Sequence, residues 1–491
     1  MNNIKDLTIL EINDLMQRGD ISCTEVIKDT LNCVEKYDKK VKAFLTITPD
    51  NALKEAKKVD SKITKRMKIN VLEGIPYSLK DVFCTNGIRT TAGSKILDNF
   101  IPPYNATIVE KLNQNGSILI GKTNCDAFGF GSSTENSGYF VSHNPYDLER
   151  IPGGSSGGSA SAVALRMGLF SIAEDTGGSI RQPSSFCNVC GIKVTYGRVS
   201  RYGAIEYGSS LDTVGPIARS VEDLALILEK IAGEDERDAT TVPCEVHNYI
   251  EEMKSSVSGI QIGIPKEYFP DKGLDKEIKN KVLEAAKTFE DLGCHIEEVS
   301  LPSTEYAIAC YYLTAISEVS ANLARYDGIR FGYSDKSSKN LQDFYKKTRS
   351  NSFEDEVKRR IMLGTFALSS GFYDEYYKKA MQVRTLLVNE FNEVFKNVDV
   401  LLAPVSPTLP FKIGLHKNDP LAMWLEDAFT VTLNPTGCPG LAIPAGFSKK
   451  GLPIGMQLIG PQFSESMLFR LGYHFQEATD YHIKKPKLIE E

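Results

Sequence analysis

From residue 74 onward, short apolar runs alternate with stretches of helical spacing, and glycine-rich turns separate them. Residues 107–114 have a helical pattern, for example, and the apolar run 117–120 follows them closely. The same alternation returns later, where the apolar run 260–264 precedes a helical stretch at 276–292. Strands that alternate with helices are usually joined by crossovers. This pattern therefore favours a mixed, mostly parallel β-sheet with helical cover.

The N-terminal part of the chain has a different pattern. Val26 and Leu31 lie at helical spacing, and Asp50 is a candidate N-cap for a second helix. We therefore predict an N-terminal helical segment over residues 1–70, packed on a core formed by residues 71–491.

Charge and hydropathy exclude several classes of protein. The chain has 57 Lys and Arg against 63 Asp and Glu, a net charge of −6, and so lacks the basic surface typical of nucleic-acid binding. No apolar stretch approaches the ~20 residues of a membrane helix, and the N-terminus has no signal-peptide pattern. The ten cysteines are mostly isolated, which is typical of reduced thiols in a cytosolic protein. We therefore predict a cytoplasmic location and no membrane contact.

Two motifs could be mistaken for a metal site and a phosphate site. Cys187 and Cys190 form a C-x-x-C, but a structural zinc site needs two more ligands at similar spacing, and the six histidines are scattered. The glycine-rich segment 153–159 lacks both the G-K-[ST] ending of a P-loop and the spacing of a dinucleotide site. We therefore predict neither a metal nor a nucleotide cofactor in this chain.

Two serines are candidate nucleophiles for hydrolysis. Ser156 lies in a G-x-S-x-G pattern, but no histidine in a distinctive context is available as its base. Ser179 ends the segment Thr176-Gly177-Gly178-Ser179, in which the glycines leave room for a substrate carbonyl. The backbone N–H groups of this segment could converge on an oxyanion, and each such donor lowers the barrier by about 3 kcal/mol.

Lysine can replace histidine as the base, as in Ser-Lys hydrolases. Lys80 is flanked by apolar residues, among them Leu79 and Val82. Complete burial lowers the pKa of a lysine by up to ~3–5 units, which makes a neutral amine available near neutral pH. A surface lysine beside Asp81 is the alternative interpretation of the same residues.

Lys80, the segment Gly153–Ser159 and the segment Asp175–Arg181 together resemble the amidase signature family in spacing, order and flanking residues. This resemblance implies a single large α/β domain with helices on both sides of its sheet, and a Ser–cis-Ser–Lys triad. Ser179 would be the acyl-enzyme nucleophile, Ser155 the bridging serine and Lys80 the base, with a cis Gly154–Ser155 peptide. Thr176, Gly177 and Gly178 would form the oxyanion hole, and Ser156 would not be the nucleophile.

Further segments resemble one branch of that family, the A subunits of tRNA-dependent amidotransferases, which hydrolyse glutamine. Those segments are residues 132–137, 195–201, 209–212, 360–365 and 476–480. The resemblance implies a heterotrimer in which a B subunit uses ATP and Mg²⁺ to activate a misacylated tRNA, and a small C subunit helps to hold A and B together. Ammonia would convert Glu-tRNA(Gln) to Gln-tRNA(Gln), and often Asp-tRNA(Asn) to Asn-tRNA(Asn).

The same resemblance implies a pocket for zwitterionic glutamine. Arg360 would bind the α-carboxylate and Asp427 the α-amine, and Tyr311 would complete the pocket. Some residues depart from the family pattern: Val194 replaces a proline, Ala127 replaces an acid, and Glu174 replaces a serine. None of these departures is expected to touch the triad.

Two other functions fit the chain less well. A free-standing amidase of the same superfamily would act on small or aryl amides without partners, and would not need Arg360 or Asp427. A catalytically idle scaffold protein would not need the intact triad.

Overall fold

The computed structural model describes residues 4–490, except for the side chain of residue 490. The strands are β1 Phe44–Ile47, β2 Pro76–Lys80, β3 Ile118–Thr123, β4 Phe170–Asp175, β5 Cys190–Lys193, β6 Thr213–Ala218, β7 Gln261–Pro265, β8 His295–Val299, β9 Val400–Pro404, β10 Gly440–Phe447 and β11 Pro453–Ile459. The helices are α1 Ile9–Arg18, α2 Cys23–Val41, α3 Pro49–Thr64, α4 Thr107–Gln114, α5 Gly157–Ala164, α6 Arg181–Phe186, α7 Val221–Ile231, α8 Tyr249–Glu252, α9 Lys276–Asp291, α10 Ala307–Asn322, α11 Leu341–Ser352, α12 Asp355–Ala367, α13 Lys379–Val394, α14 Pro420–Leu425, α15 Leu433–Thr436, α16 Glu465–Ala478 and α17 Lys487–Glu490.

All these strands join one sheet in the order β1-β3-β2-β4-β6-β5-β10-β11-β9-β7-β8. The prediction of a single α/β domain with a mixed sheet and helical cover is confirmed. The prediction that the sheet is mostly parallel is wrong. Within residues 4–490, four neighbouring strand pairs are parallel and six are antiparallel.

Connections without a helix explain two of the antiparallel pairs in the centre of the sheet. A short turn joins β10 to β11, and a connection without a helix joins β5 to β6, so each of these pairs runs antiparallel. The parallel pairs lie towards the flanks, where β2 pairs with β3 and β4, and β7 pairs with β8 and β9. These are the regions where helices separate the strands along the chain.

Within residues 4–70 of the N-terminal segment, the chain forms helices α1, α2 and α3 and also strand β1. This strand pairs antiparallel with β3 at an edge of the sheet. Its run Phe-Leu-Thr-Ile is too short and too rich in β-formers for a helix. Helix α3 begins at Pro49 with Thr48 as its N-cap, so Asp50 lies in the first turn and is not the cap.

The core lies between the sheet and its helices. Every residue of β2, β3, β4, β6, β9 and β11 is buried. Helix α5 packs on β2 and β4, and α6 packs on β10 and β11. Helix α10 packs on both α12 and α13. Of the predicted glutamine pocket, α10 carries Tyr311 and α12 carries Arg360. No helix within residues 4–490 combines the length and apolar character of a membrane span, and all ten cysteines are unpaired thiols.

The parallel pair β2 and β4 positions the candidate site. Its register places Leu79 opposite Ile172, so both strands end at the same edge of the sheet. Lys80 is the last residue of β2, and Asp175 is the last residue of β4. The carboxyl ends of parallel strands are a usual place for a site in α/β proteins.

Candidate active site

Lys80 and Ser155 form the centre of the site. Both are completely buried, and Lys80 Nζ donates a hydrogen bond to Ser155 Oγ over 2.7 Å. The peptide bond between Gly154 and Ser155 is cis. The alternative of a surface lysine beside Asp81 is therefore wrong, and Asp81 accepts hydrogen bonds from the backbone and side chain of Thr91 instead.

The two candidate nucleophiles have different surroundings. Ser156 is completely buried, and its hydroxyl donates to the carbonyl oxygen of Glu174 over 3.2 Å. Ser179 is 8% exposed, and its Oγ makes no hydrogen bond to any residue among 4–490. A serine whose hydroxyl is already held by a carbonyl is a poor nucleophile, so this geometry favours Ser179.

The turn after β4 presents free backbone donors beside Ser179. The amides of Thr176, Gly177 and Ser179 donate to no atom of the described chain. The amide of Gly178, which was also predicted to serve an oxyanion, donates instead to Asp175 Oδ1 over 2.9 Å. The available oxyanion donors are therefore those of Thr176, Gly177 and Ser179.

Both glycines of this turn are required by close packing. A Cβ atom on Gly177 would lie 2.5 Å from the hydroxyl of Tyr311, and one on Gly178 would lie 2.4 Å from Thr430 Oγ1. Gly178 also has a φ of +137°, which L-residues rarely adopt. The Thr430 hydroxyl stabilises the turn by donating to the carbonyl oxygen of Gly177 over 2.6 Å.

A buried ion pair between the two residues that flank the turn also stabilises it. Arg181 Nη2 contacts Asp175 Oδ1 at 3.0 Å, and both side chains are completely buried. The Arg181 guanidinium and its hydrogen bonds lower the pKa of Asp175 to about 2, against the effect of burial. Arg181 also donates to the Thr430 carbonyl, Gln457 and Asn434. Sequence reasoning quoted this Asp and Arg only as part of a motif and missed their role in holding the turn.

The predicted glutamine pocket contains two buried charges of opposite sign. Arg360, on α12, is 3% exposed and donates to the hydroxyl of Tyr207 over 2.6 Å and to Glu356 over 2.7 Å. Asp427 is 7% exposed and accepts hydrogen bonds from Ser132 and Tyr312. Tyr312 connects the two charges: the Arg360 guanidinium carbon lies 5.4 Å from the centroid of its ring, and its hydroxyl donates to Asp427.

Tyr311 and its neighbour Tyr312 contact different parts of this site. Tyr311 packs against Gly177 in the turn of residues 176–179, which we call the oxyanion turn. The hydroxyl of Tyr312 donates to Asp427 over 2.7 Å. Sequence reasoning missed Tyr312 and Tyr207. Tyr312 could have been found from its position beside Tyr311, whereas nothing in the local sequence links Tyr207 to Arg360.

A cavity of suitable size for a small molecule lies beside Arg360. Arg360 lines a cavity of about 350 Å³ together with Ser133, Asn136, His416 and Trp424. Burial raises the pKa of Asp427 to about 6. At neutral pH this carboxyl is therefore ionised and can bind an ammonium group.

Within residues 4–490, no group of three His, Cys, Asp or Glu side chains is arranged to hold a metal ion. Cys187 and Cys190 are both buried, and burial raises the pKa of Cys187 to about 12. Their sulfur atoms contact the Pro152 carbonyl and Gln476, respectively.

Comparisons with known proteins show the family of this chain. Residues 25–469 match a family model described as amidase. The chain belongs to the amidase family. It is 51% identical over 481 residues to the A subunit of glutamyl-tRNA(Gln) amidotransferase from Heliobacterium modesticaldum, with 98% of each chain covered. It is also 51% identical over 484 residues to the protein of the same name from Geobacillus sp., with 98% of this chain and 99% of that chain covered.

Solved structures give the same family. The crystal structure of the A subunit of glutamyl-tRNA(Gln) amidotransferase from Thermotoga maritima has a TM-score of 0.81 at 36% identity, with 99% of this chain and 98% of that chain covered. A bacterial aryl acylamidase of the amidase signature family has a TM-score of 0.84 at 26% identity, with 97% of each chain covered.

One departure of this amidase from its family pattern lies inside the site. Glu174 was expected not to touch the triad, and that expectation is wrong. Glu174 Oε2 lies 2.8 Å from Lys80 Nζ, and neither side chain is more than 5% exposed. The expectation failed because adjacent strands, and not neighbouring residues, bring Glu174 to Lys80.

A second carboxyl lies next to Glu174. The hydroxyl oxygen of Thr176 is within hydrogen-bond distance of Glu174 Oε1 and, at 2.6 Å, of Asp212 Oδ1. A hydroxyl has one hydrogen and can donate to only one of them, so the other contact requires a proton on a carboxyl. Burial and the Glu174 charge raise the pKa of Asp212, which favours that proton lying on Asp212.

Proposed function

We propose that this chain is the glutamine-hydrolysing A subunit of a tRNA-dependent amidotransferase. The observation that carries the proposal is a buried Lys80–Ser155 pair beside a glycine turn, in a molecule whose pocket also holds Arg360 and Asp427. The names of its relatives at 51% identity support the same assignment.

The proposed reaction begins with neutral Lys80. This amine takes a proton from Ser155 as Ser155 takes one from Ser179, and Ser179 Oγ attacks the side-chain carbonyl of glutamine. The amides of Thr176, Gly177 and Ser179 stabilise the oxyanion. The proton then returns to the departing ammonia, which leaves a γ-glutamyl ester on Ser179. Water hydrolyses the ester and releases glutamate.

The proposed pocket selects a zwitterion. Arg360 would bind the α-carboxylate of glutamine, and Asp427 would bind its α-ammonium group. Both charges are already oriented by hydrogen bonds from or to neighbouring side chains, which reduces the entropy lost on binding. A simple amide without these groups would gain nothing from either residue.

The proposed partners follow from the relatives. Ammonia from this chain would pass to a B subunit, which uses ATP and Mg²⁺ to activate Glu-tRNA(Gln), or Asp-tRNA(Asn), in the cytoplasm. A small C subunit would complete the heterotrimer. The net charge of −6 is consistent with tRNA contact mainly through the B subunit.

The test is release of ammonia and glutamate from glutamine, by the isolated chain and by the chain co-expressed with candidate B and C subunits. Hydrolysis by the complex that Ser179→Ala abolishes would support the proposal. Hydrolysis of small or aryl amides by the isolated chain, with no activity on glutamine in either form, would instead indicate a free-standing amidase.

A further inference from the structure

Lys80 has three hydrogen-bond acceptors around its nitrogen. They are Ser155 Oγ at 2.7 Å, Glu174 Oε2 at 2.8 Å and the Glu174 carbonyl oxygen at 3.4 Å. The Ser155 hydroxyl can accept from an ammonium group or donate to the lone pair of a neutral amine, so this contact fits either form of Lys80. The two Glu174 oxygens can only accept, and among residues 4–490 the Glu174 carboxylate is the charged group in direct contact with the lysine nitrogen.

Glu174 accounts for two of these three acceptors. Its side chain is 5% exposed and contributes a carboxylate to a completely buried lysine. In so dry an environment, an anion at this distance strongly favours the ammonium form, whereas burial alone favours the neutral amine. A serine, the commoner residue of the family at this position, would supply no such charge.

Other titratable groups also face Lys80. Cys125 and Asp126 are completely buried and lie near enough to interact with its charge. Asp126 accepts hydrogen bonds from the amides of Thr134 and Asn136. Asp212 is joined to Glu174 through Thr176. Among residues 4–490, only Glu174 places a carboxylate in direct contact with the lysine nitrogen.

We infer that Glu174 is a positioning residue that holds Lys80 in its ammonium form, so that glutamine hydrolysis requires a higher pH than it would with serine at this position. This inference rests on the proposed function. The neutral base forms when the ammonium group of Lys80 loses one proton to solvent, and Glu174 opposes that loss. Removing the carboxylate should therefore make the base available at lower pH.

The experiment compares pH profiles of kcat/KM for glutamine hydrolysis by the assembled complex. Glu174→Ser introduces the commoner residue, and Glu174→Gln keeps the size of the side chain. In both variants we expect the part of the pH profile where kcat/KM rises with pH, the rising limb, to move to lower pH. At a pH on this limb, kcat/KM as a fraction of its plateau value should increase on the order of tenfold. A merely structural role would lower the plateau without moving the limb.

The matched control is Glu73→Gln. Glu73 is also buried and pairs with a lysine, Lys62, outside the site, so its loss should leave the limb in place. An unmoved limb in both Glu174 variants, or a shift to higher pH, would overturn the inference. If one of the two Glu174 variants fails to fold, the pH profile of the other tests the inference.

A second measurement separates this inference from the proposed function. A fluorophosphonate reacts with an activated serine without needing glutamine or partner proteins, so its rate of reaction with Ser179 reports on activation of that serine independently of glutamine binding. Faster labelling of both Glu174 variants than of the natural chain at neutral pH would support the inference even if glutamine were not the substrate. Equal or slower labelling would contradict it, whatever the substrate is.

Discussion

Asp427 is a buried carboxyl in the proposed substrate pocket, and burial raises its pKa. Its carboxyl accepts hydrogen bonds from Ser132 and Tyr312 and has no direct ion-pair partner within residues 4–490. A bound α-ammonium group would supply that partner. Binding of glutamine should therefore depend on ionisation of this one residue.

We expect KM for glutamine to rise as pH falls through about 6. Burial raises the pKa of Asp427 to about 6, so below that pH the carboxyl is protonated and no longer attracts the α-ammonium group. Asp427→Asn should raise KM about tenfold or more at neutral pH, because a hydrogen bond to a charged group contributes about 1.5–3 kcal/mol. Its KM should also no longer follow this titration. A KM of the natural chain that is constant from pH 7 to pH 5 would contradict this role.

At this scale, sequence reasoning selected residues that the structure places in one site, and it missed neighbours that contact them. Lys80 and Ser155 lie in distinctive local segments, and the structure places them in contact. Glu174 was noticed as a departure, but its contact with Lys80 depends on the pairing of β2 with β4. Tyr207 meets Arg360 across 153 residues of chain. Such contacts cannot be predicted from local pattern because they depend on how distant elements pack.

Among the elements, the turn between β4 and α6 is closely packed at both of its glycines, Gly177 and Gly178. Its amides can serve an oxyanion only while Tyr311 and Thr430 lie directly against the two glycines. The turn is therefore held by side chains from α10 and from the segment before α15.

Gly178→Ala should lower kcat on the order of a hundredfold or more, comparable with the loss of one oxyanion donor, with a smaller effect on KM. The added methyl group would lie 2.4 Å from Thr430 Oγ1, so the turn must move. The matched control is Gly414→Ala. Gly414 also has positive φ, at +86°, but a Cβ there meets nothing within 4 Å. Equal losses of kcat in the two variants would indicate a general effect of backbone strain and not of the oxyanion turn.

The Asp175–Arg181 pair joins this turn to the centre of the molecule. Asp175→Asn should lower the free energy of unfolding by about 3–5 kcal/mol, because it leaves the buried Arg181 charge uncompensated. Chemical denaturation at neutral pH measures this change. Asp14→Asn, which removes an exposed helical pair with Arg18, should change stability little; a similar loss in both variants would contradict the assigned role of the buried pair.

The same pair has a defined dependence on pH. The folded-state pKa of Asp175, about 2, lies below the ordinary value, so its contribution to stability is complete above the ordinary aspartate range and is lost as pH falls through about 2. The difference in stability between the natural chain and Asp175→Asn should therefore persist at mildly acidic pH.

For the whole molecule, the sequence was sufficient to predict one mixed sheet with helical cover. It was not sufficient to predict the direction of every strand. Alternation of strand and helix indicates crossovers, and these occur around β2 to β4 and β7 to β9. The connections of β5 to β6 and of β10 to β11 contain no helix, and these two central pairs are antiparallel. Strand β1 was not predicted, because its four residues are too few to show the alternation of apolar and polar residues typical of a strand.

The central claim is that Ser179 is the nucleophile that the Lys80–Ser155 pair activates. The most direct test is to treat the assembled complex with a diazoketone analogue of glutamine and locate the adduct by mass spectrometry. The account predicts one adduct, on Ser179, that is absent from Ser179→Ala and suppressed by excess glutamine. An adduct on Ser156, or inactivation that leaves Ser179 unmodified, would contradict it.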